Sequence, residues 1–235
     1  MNEKSNGWPV PTSNWLFPEE YSWVVKKLYE FGVLKFSNKR DLPLKKGGTT
    51  DIYINLRDAR NNPEAIDFIA RLFQIPLQRI KPNRFVEIPD SVSCFCGPLS
   101  IYSGIPYLTI REQAKEGRAT NSKIIGTPNK GEEVCIIDDV ITDGASKIIP
   151  QQECLRLGLN NLSLIVLVDR EQGWQELLAK ENISMNVWAG MTLHDVRRQL
   201  IETGLMQRCS PENEQKNPLV VALDGKNWNQ MLPII

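Results

Sequence analysis

The sequence predicts an α/β fold built on a central parallel sheet flanked by helices. Three observations predict it. From residue 85 onward, short apolar runs alternate with helical stretches, the order that builds a parallel sheet through right-handed crossovers. The run Val134-Cys135-Ile136-Ile137 is apolar throughout, the pattern of a strand covered on both faces. It ends on Asp138 and Asp139. Two apolar residues later comes the turn Thr142-Asp143-Gly144-Ala145-Ser146, which leads into a helix. Ligands of such sheets bind at the carboxyl ends of the strands.

Taken in order, residues 1–17 are rich in Pro, Asn and Trp and read as an arm. Pro18 to Phe31 has helical periodicity through Trp23, Val24, Lys27 and Leu28, with Glu19 and Glu20 in the first turn. Residues 33–36 and 51–56 read as strands separated by the turn Lys45-Lys46-Gly47-Gly48. Pro63 opens a helix to Arg79. Then come a strand at 85–88, a helix at 94–103 and a strand at 107–110. Arg111 to Lys130 is polar and long for a connection, which marks it as functional or disordered. The strand at 134–137 follows, then a helix to about Leu157, a strand at 162–168, a helix after Asp169, and a last strand–helix pair over 183–203. Pro150 falls inside the helix after the turn, so that helix either kinks or starts late.

Composition narrows the classes. The 235 residues suit one domain with an appendage. Twenty-eight basic residues balance twenty-eight acidic ones, so no global field points to nucleic acid or an anionic membrane. No apolar run is long enough to span a bilayer. The N-terminus lacks the apolar core of a secretory signal, and the five cysteines are odd in number. Both features predict reduced thiols in a cytoplasmic protein. Cys94 and Cys96 have no second pair to complete a zinc site.

The turn at 142–146 carries the chemistry. Backbone N–H groups at a helix start have no intrahelical partner, and the helix dipole favours an anion, so the turn reads as a phosphate cradle. Gly144 lets the backbone approach the phosphate. Asp138 and Asp139 beside it accept hydrogen bonds from sugar hydroxyls or face a hydrated magnesium ion. A buried strand with an ordinary capped turn gives the same pattern without a ligand. A nucleotide hydrolase would need a Gly-x-x-x-x-Gly-Lys-Ser/Thr loop, which the sequence lacks.

Apolar strand, two acids, two apolar residues and Thr-x-Gly-x-Ser resemble the PRPP signature of the type I phosphoribosyltransferases. Three further segments are similar to orotate phosphoribosyltransferases, over about Phe17 to Leu205. Leu44-Lys45-Lys46-Gly47 with Thr50 to Arg57 resembles that family's Leu-Lys-Ser-Gly and Ser-Pro-Ile-Tyr-Ile-Asp-Leu-Arg strings. The resemblance implies that Lys45 contacts PRPP and that the backbone at Ile52 and Tyr53 pairs with the planar base. Val168-Asp169-Arg170-Glu171-Gln172-Gly173 resembles the string whose arginine holds the orotate carboxylate, a role that suits a planar guanidinium. Arg111 and Lys115 match the family's mobile loop, which closes over pyrophosphate. Glu112 stands where lysine is usual, and the loop histidine of many members is missing. Asp90, in Ile88-Pro89-Asp90-Ser91, also departs from the family's aromatic or neutral residue.

The resemblance implies a type I fold with a small N-terminal hood. It implies transfer of the phosphoribosyl group of PRPP to orotate in UMP synthesis, with Mg2+ held mainly by PRPP and water. Thr142, Asp143, Gly144, Ala145 and Ser146 would bind the phosphate. Arg111, Lys115, Asp138 and Asp139 would serve the reaction, and Arg170 the base. It also implies a homodimer with loop 111–126 acting across the interface. The departures at Glu112 and Asp90 leave a second reading, a PRPP-binding regulatory subunit with the same fold. The expected organisation is a domain over 1–208, a linker over 209–218 and a stub over 219–235. That stub resembles the first strand of orotidine monophosphate decarboxylase, which implies the front part of a fused two-enzyme protein; an extra edge strand on the main domain is the other reading.

Overall fold

The computed structural model describes residues 14–44, 47–111 and 123–207. Where an arm was expected, Trp15 and Leu16 are core residues, exposed by 2% or less. The Trp15 indole donates to the carbonyls of Val166 and Trp188 at 3.1 and 3.2 Å. A large apolar ring with one polar edge suits a sheet that offers strand carbonyls.

Helix α1 (Pro18–Glu30) buries Tyr21, Val24, Val25 and Leu28, one stripe at helical spacing. Four short strands follow: β1 (Leu34–Phe36), β2 (Leu42–Pro43), β3 (Thr49–Thr50) and β4 (Ile52–Ile54). β1 pairs antiparallel with β4 and β2 with β3, which makes the expected hood. The strand expected over 51–56 stops at Ile54. Leu56 and Ala59 are both buried, and their spacing of three turns the chain into a 3-10 helix over Leu56–Asn61. Helix α2 (Pro63–Ile80) starts on Asn62, whose side chain accepts the Glu64 N–H at 2.9 Å.

The main sheet is built from β5 (Arg84–Glu87), β6 (Tyr107–Ile110), β7 (Ile124–Ile125), β8 (Glu133–Ile141), β9 (Asn160–Asp169) and β10 (Asn186–Thr192). Helix α3 (Ser93–Ser103) joins β5 to β6, α4 (Ala145–Arg156) joins β8 to β9, α5 (Trp174–Lys180) joins β9 to β10, and α6 (Leu193–Glu202) follows β10. The strand order is β10-β9-β8-β5-β6-β7, parallel throughout except for β7 against β6. β7 lies inside the stretch read as polar; two isoleucines are too short a run to register as a strand. One buried cluster packs the hood, α1, α2, α3 and α6 against the sheet, and a second packs α4 and α5 against it.

One expectation about the central segment needs correction. β8 does not end at Ile137 but runs on through Asp138 and Asp139 to Ile141, paired with β9 as far as Asp169. Of the two alternatives left open for helix α4, a late start does not occur. The helix begins at Ala145, right after Gly144, and carries the buried Pro150 in its second turn. Pro150 has no N–H, so the Ser146 carbonyl lacks its usual helical donor.

Cys94, Cys96, Cys135 and Cys154 are free thiols. Burial pushes Cys135 up to about 11 and Cys154 to about 12, so neither is a ready nucleophile. Among the described residues no helix is long and apolar enough to cross a membrane.

Candidate active site

β5 and β8 are neighbours, yet α3 carries the chain from β5 to one side and α4 carries it from β8 to the other. The crevice between their carboxyl ends is the sheet's switch point. The turn Ile88 to Ser91 lies on one side of it and the turn 142–146 on the other. Arg111 leaves the end of β6, and Arg170 leaves the end of β9. Four adjacent strand ends therefore gather the groups that the sequence singled out.

The turn 142–146 leads directly into α4, with one of its N–H donors already used. Gly144 has φ +82°, a conformation glycine takes without strain, and precedes the first residue of α4. The Ala145 N–H donates to Asp143 Oδ1 at 3.2 Å, and Thr142 Oγ1 donates to the same oxygen at 3.3 Å. Ala145 and Ser146 are exposed. A Cβ on Gly144 would meet Trp174 Cβ at 3.2 Å and Leu178 Cγ at 3.6 Å. It would thus press on α5. Trp174 is fixed in turn by its indole N–H on Asp169 Oδ2 at 2.9 Å.

The acid pair is buried, with Asp138 at 4% and Asp139 at 9% exposure. Asp138 forms an ion pair with Lys147 and accepts the Ser91 hydroxyl. Asp139 accepts the Val140 N–H at 2.8 Å through Oδ1, and its carboxyl is also hydrogen-bonded to that of Asp138. Burial, and next the charge of Asp138, push the Asp139 carboxyl up to about 7. The folded state then holds a proton that the unfolded carboxyl, with its ordinary value of about 4, releases. Without ligand, stability should therefore fall as pH rises from about 4 through about 7. Asp139→Asn should flatten that fall. Unfolding temperatures of both proteins from pH 4 to 8 check it; equal slopes would contradict it.

The hood brings a second group of residues to the end of β9. Ile52 is buried and Tyr53 half-buried on β4. The Arg170 N–H donates to the Ile141 carbonyl at 2.9 Å, but its guanidinium makes no hydrogen bond or ion pair among the described residues. Burial pushes the guanidinium down, while Asp51 and Tyr53 act to raise it, which puts Arg170 in the electrostatic reach of the β4 segment. Asp51 is gripped by Arg197 of α6 through both carboxylate oxygens, one at 2.9 Å. Burial pushes Asp51 up, but the Arg197 hydrogen bond and charge outweigh it and hold the carboxyl below its usual range. Arg197→Ala should cost on the order of 2–4 kcal/mol, because it leaves a buried carboxylate unpaired. Urea unfolding should show the loss, and adding Asp51→Asn should recover most of it. A single variant as stable as the parent would show the pair to be idle.

Lys45 and Lys115 lie outside the described residues, as does Glu112. Arg111 is half-buried at the root of the β6–β7 ribbon, where its N–H donates to the Lys123 carbonyl at 2.7 Å. Asp90 is exposed, and its carbonyl accepts from Arg60 at 3.1 Å. Sequence reasoning missed Lys147, Ser91, Trp174 and Arg197. Lys147 did leave a signal. It stands with Pro150, Gln151 and Cys154 on the buried stripe of α4, where a charge needs a partner.

No family model matches the chain. Solved structures share its architecture. Orotate phosphoribosyltransferase from Aeropyrum pernix superposes with a TM-score of 0.61 at 23% identity, over 77% of this chain and 98% of that one. Leishmania donovani UMP synthase superposes with a TM-score of 0.70 at 25% identity, over 89% of this chain but only 43% of that one. The class is thus that of the type I phosphoribosyltransferases. Among known proteins, the chain is 30% identical to the orotate phosphoribosyltransferase of Thermoplasma volcanium over 161 residues, 68% of this chain and 91% of that protein. The chain belongs to the orotate phosphoribosyltransferase family.

Proposed function

We propose that the chain transfers the phosphoribosyl group of PRPP to orotate, giving orotidine monophosphate and pyrophosphate in pyrimidine synthesis. The observation that carries this reading is Arg170. It is a half-buried guanidinium with no side-chain hydrogen bond among the described residues, at a strand end beside β4 and next in line to the phosphate turn. Such a group suits a planar ligand that bears a carboxylate.

The residues divide the substrate between them. The turn Thr142 to Ser146 holds the 5-phosphate, the acid pair faces the ribose hydroxyls, and the backbone at Ile52 and Tyr53 with Arg170 holds the base. Arg111 and Lys115 neutralise the diphosphate, and Lys45 contacts PRPP. The base nitrogen attacks the anomeric carbon as pyrophosphate leaves, so positioning and electrostatics supply the rate and no side-chain nucleophile is needed. Among the described residues no three acidic, histidine or thiol groups converge, and Asp138 is already paired with Lys147. On this reading Mg2+ would come in on PRPP and water, where it would offset the charge of the departing pyrophosphate.

A homodimer with loop 111–126 shared across its interface, and a cytoplasmic location, belong to the same reading. So does the division into a domain over 1–208, a linker over 209–218 and a decarboxylase-like stub over 219–235. Similarity to a UMP synthase more than twice as long supports the fusion; residues 208–235 lie outside the described residues. The test is pyrophosphate release in mixtures that each omit one of PRPP, Mg2+ and orotate. Release only in the complete mixture is expected, and release without orotate would contradict the assignment.

A further inference from the structure

We infer that Arg197 keeps Arg170 available to the substrate. By gripping Asp51, it stops an acid of the hood from pairing with the guanidinium that is to meet the carboxylate of the base. Arg197 is a positioning residue for base recognition on this account. The inference rests on the phosphoribosyl-transfer reading and deepens it at the base end.

Arg170 has acids around it, and each is turned to another partner. Asp169 and Glu171 are its chain neighbours. Asp169 accepts the Glu171 N–H at 2.7 Å through Oδ1 and the Trp174 indole N–H at 2.9 Å through Oδ2. Glu171 Oε2 accepts the His194 N–H of α6 at 3.2 Å. Asp51 comes from the hood and is 6% exposed; Arg197 holds both its oxygens, one at 2.9 Å. Against burial, Arg197 is the main group that keeps Asp51 charged, and Arg40 adds less. Burial pushes the Arg170 guanidinium down, and Asp51 leads the groups that act to raise it, so the charge of Asp51 reaches Arg170. A contact between a guanidinium and a carboxylate is strong, and stronger away from bulk water. Without Arg197, Asp51 would be a buried charge in need of a cation, with Arg170 within its reach.

The topology explains why one helix can do this. β9 and β10 finish side by side, with Thr192 opposite Asp169. Arg170 follows the first strand and α6 follows the second, with Arg197 in the second turn of the helix. The Glu171–His194 contact ties the Arg170 loop to the start of α6, and the Arg197–Asp51 pair ties α6 to the residue before β4. α6 thus sets the hood against Arg170 and at the same time occupies the hood's acid.

The test breaks this ion pair from its two ends in the full chain, with the KM for each substrate measured in steady state. Arg197→Met leaves Asp51 to compete for Arg170, so the KM for orotate should rise about tenfold, the value of one charged hydrogen bond. Asp51→Asn removes the competitor, so the same KM should fall about threefold, as one negative charge leaves the surroundings of the guanidinium. The KM for PRPP should move less in both. Adding Asp51→Asn to Arg197→Met should return the orotate KM to within about threefold of the parent's, as partners in one contact do not add. A tie that merely held the hood in place would weaken orotate binding when cut from either end, so opposite signs separate the two roles. If Arg197→Met fails to fold, Arg197→Lys keeps the charge but loses the fork, and should raise the orotate KM about threefold.

An orotate KM that fails to fall in Asp51→Asn, or fails to rise in the folded Arg197 variants, would overturn the assignment. A parent that binds PRPP but consumes no orotate would defeat the transferase reading and this inference together, an outcome seen in the parent alone.

Discussion

Gly144→Val should abolish measurable PRPP binding in a protein that still folds. The backbone there is left-handed, φ +82°, where a β-branched residue is strained by about 1–3 kcal/mol. The new Cβ would also lie 3.2 Å from Trp174 Cβ before its methyl groups are counted. α5 is held by the Trp174–Asp169 hydrogen bond, so the turn must give way rather than the helix. A displaced turn loses its convergent N–H groups, and affinity should fall by roughly a hundredfold or more, about 3 kcal/mol. Calorimetry with near-ultraviolet circular dichroism checks this. A folded Gly144→Val protein that binds PRPP like the parent would remove the turn from the site.

Arg170→Ala should raise the KM for orotate and leave PRPP affinity nearly unchanged. Loss of a charged hydrogen-bonded contact costs about 1.5–3 kcal/mol, which is roughly tenfold to a hundredfold or more. Because the guanidinium makes no internal hydrogen bond among the described residues, its removal breaks none, and the unfolding temperature should hardly move. Steady-state kinetics with each substrate varied in turn is the measurement. Equal weakening of both substrates would make Arg170 a structural residue and leave the choice of base unexplained.

The sequence carried the outline of this molecule where one physical signal dominated. Buried strands, proline-started helices and the turn behind the acid pair were legible because apolar period, Pro63 and Gly144 each act locally. Trp15 was not legible, since nothing in a Pro- and Asn-rich segment says that one indole will find strand carbonyls more than 150 residues away. β2, β3 and β7 have two residues each, too few for a period to show. The site followed the same division. Asp138, Asp139, Gly144 and Arg170 were singled out through their strings, and the fold brings them to adjacent strand ends. Ser91, Lys147 and Arg197 were missed because they act through partners that only the fold brings near, across 47, 9 and 146 positions of chain.

The central claim is that this chain joins orotate to PRPP, and one measurement tests it most directly. The protein is mixed with PRPP, Mg2+ and either orotate or uracil, which lacks the carboxylate, and consumption of each base is followed by absorbance. The account predicts that orotate is consumed and converted to orotidine monophosphate while uracil is left intact, because only orotate offers Arg170 a charged partner. Uracil consumed as fast as orotate, or neither base consumed by a protein that binds PRPP, would contradict it.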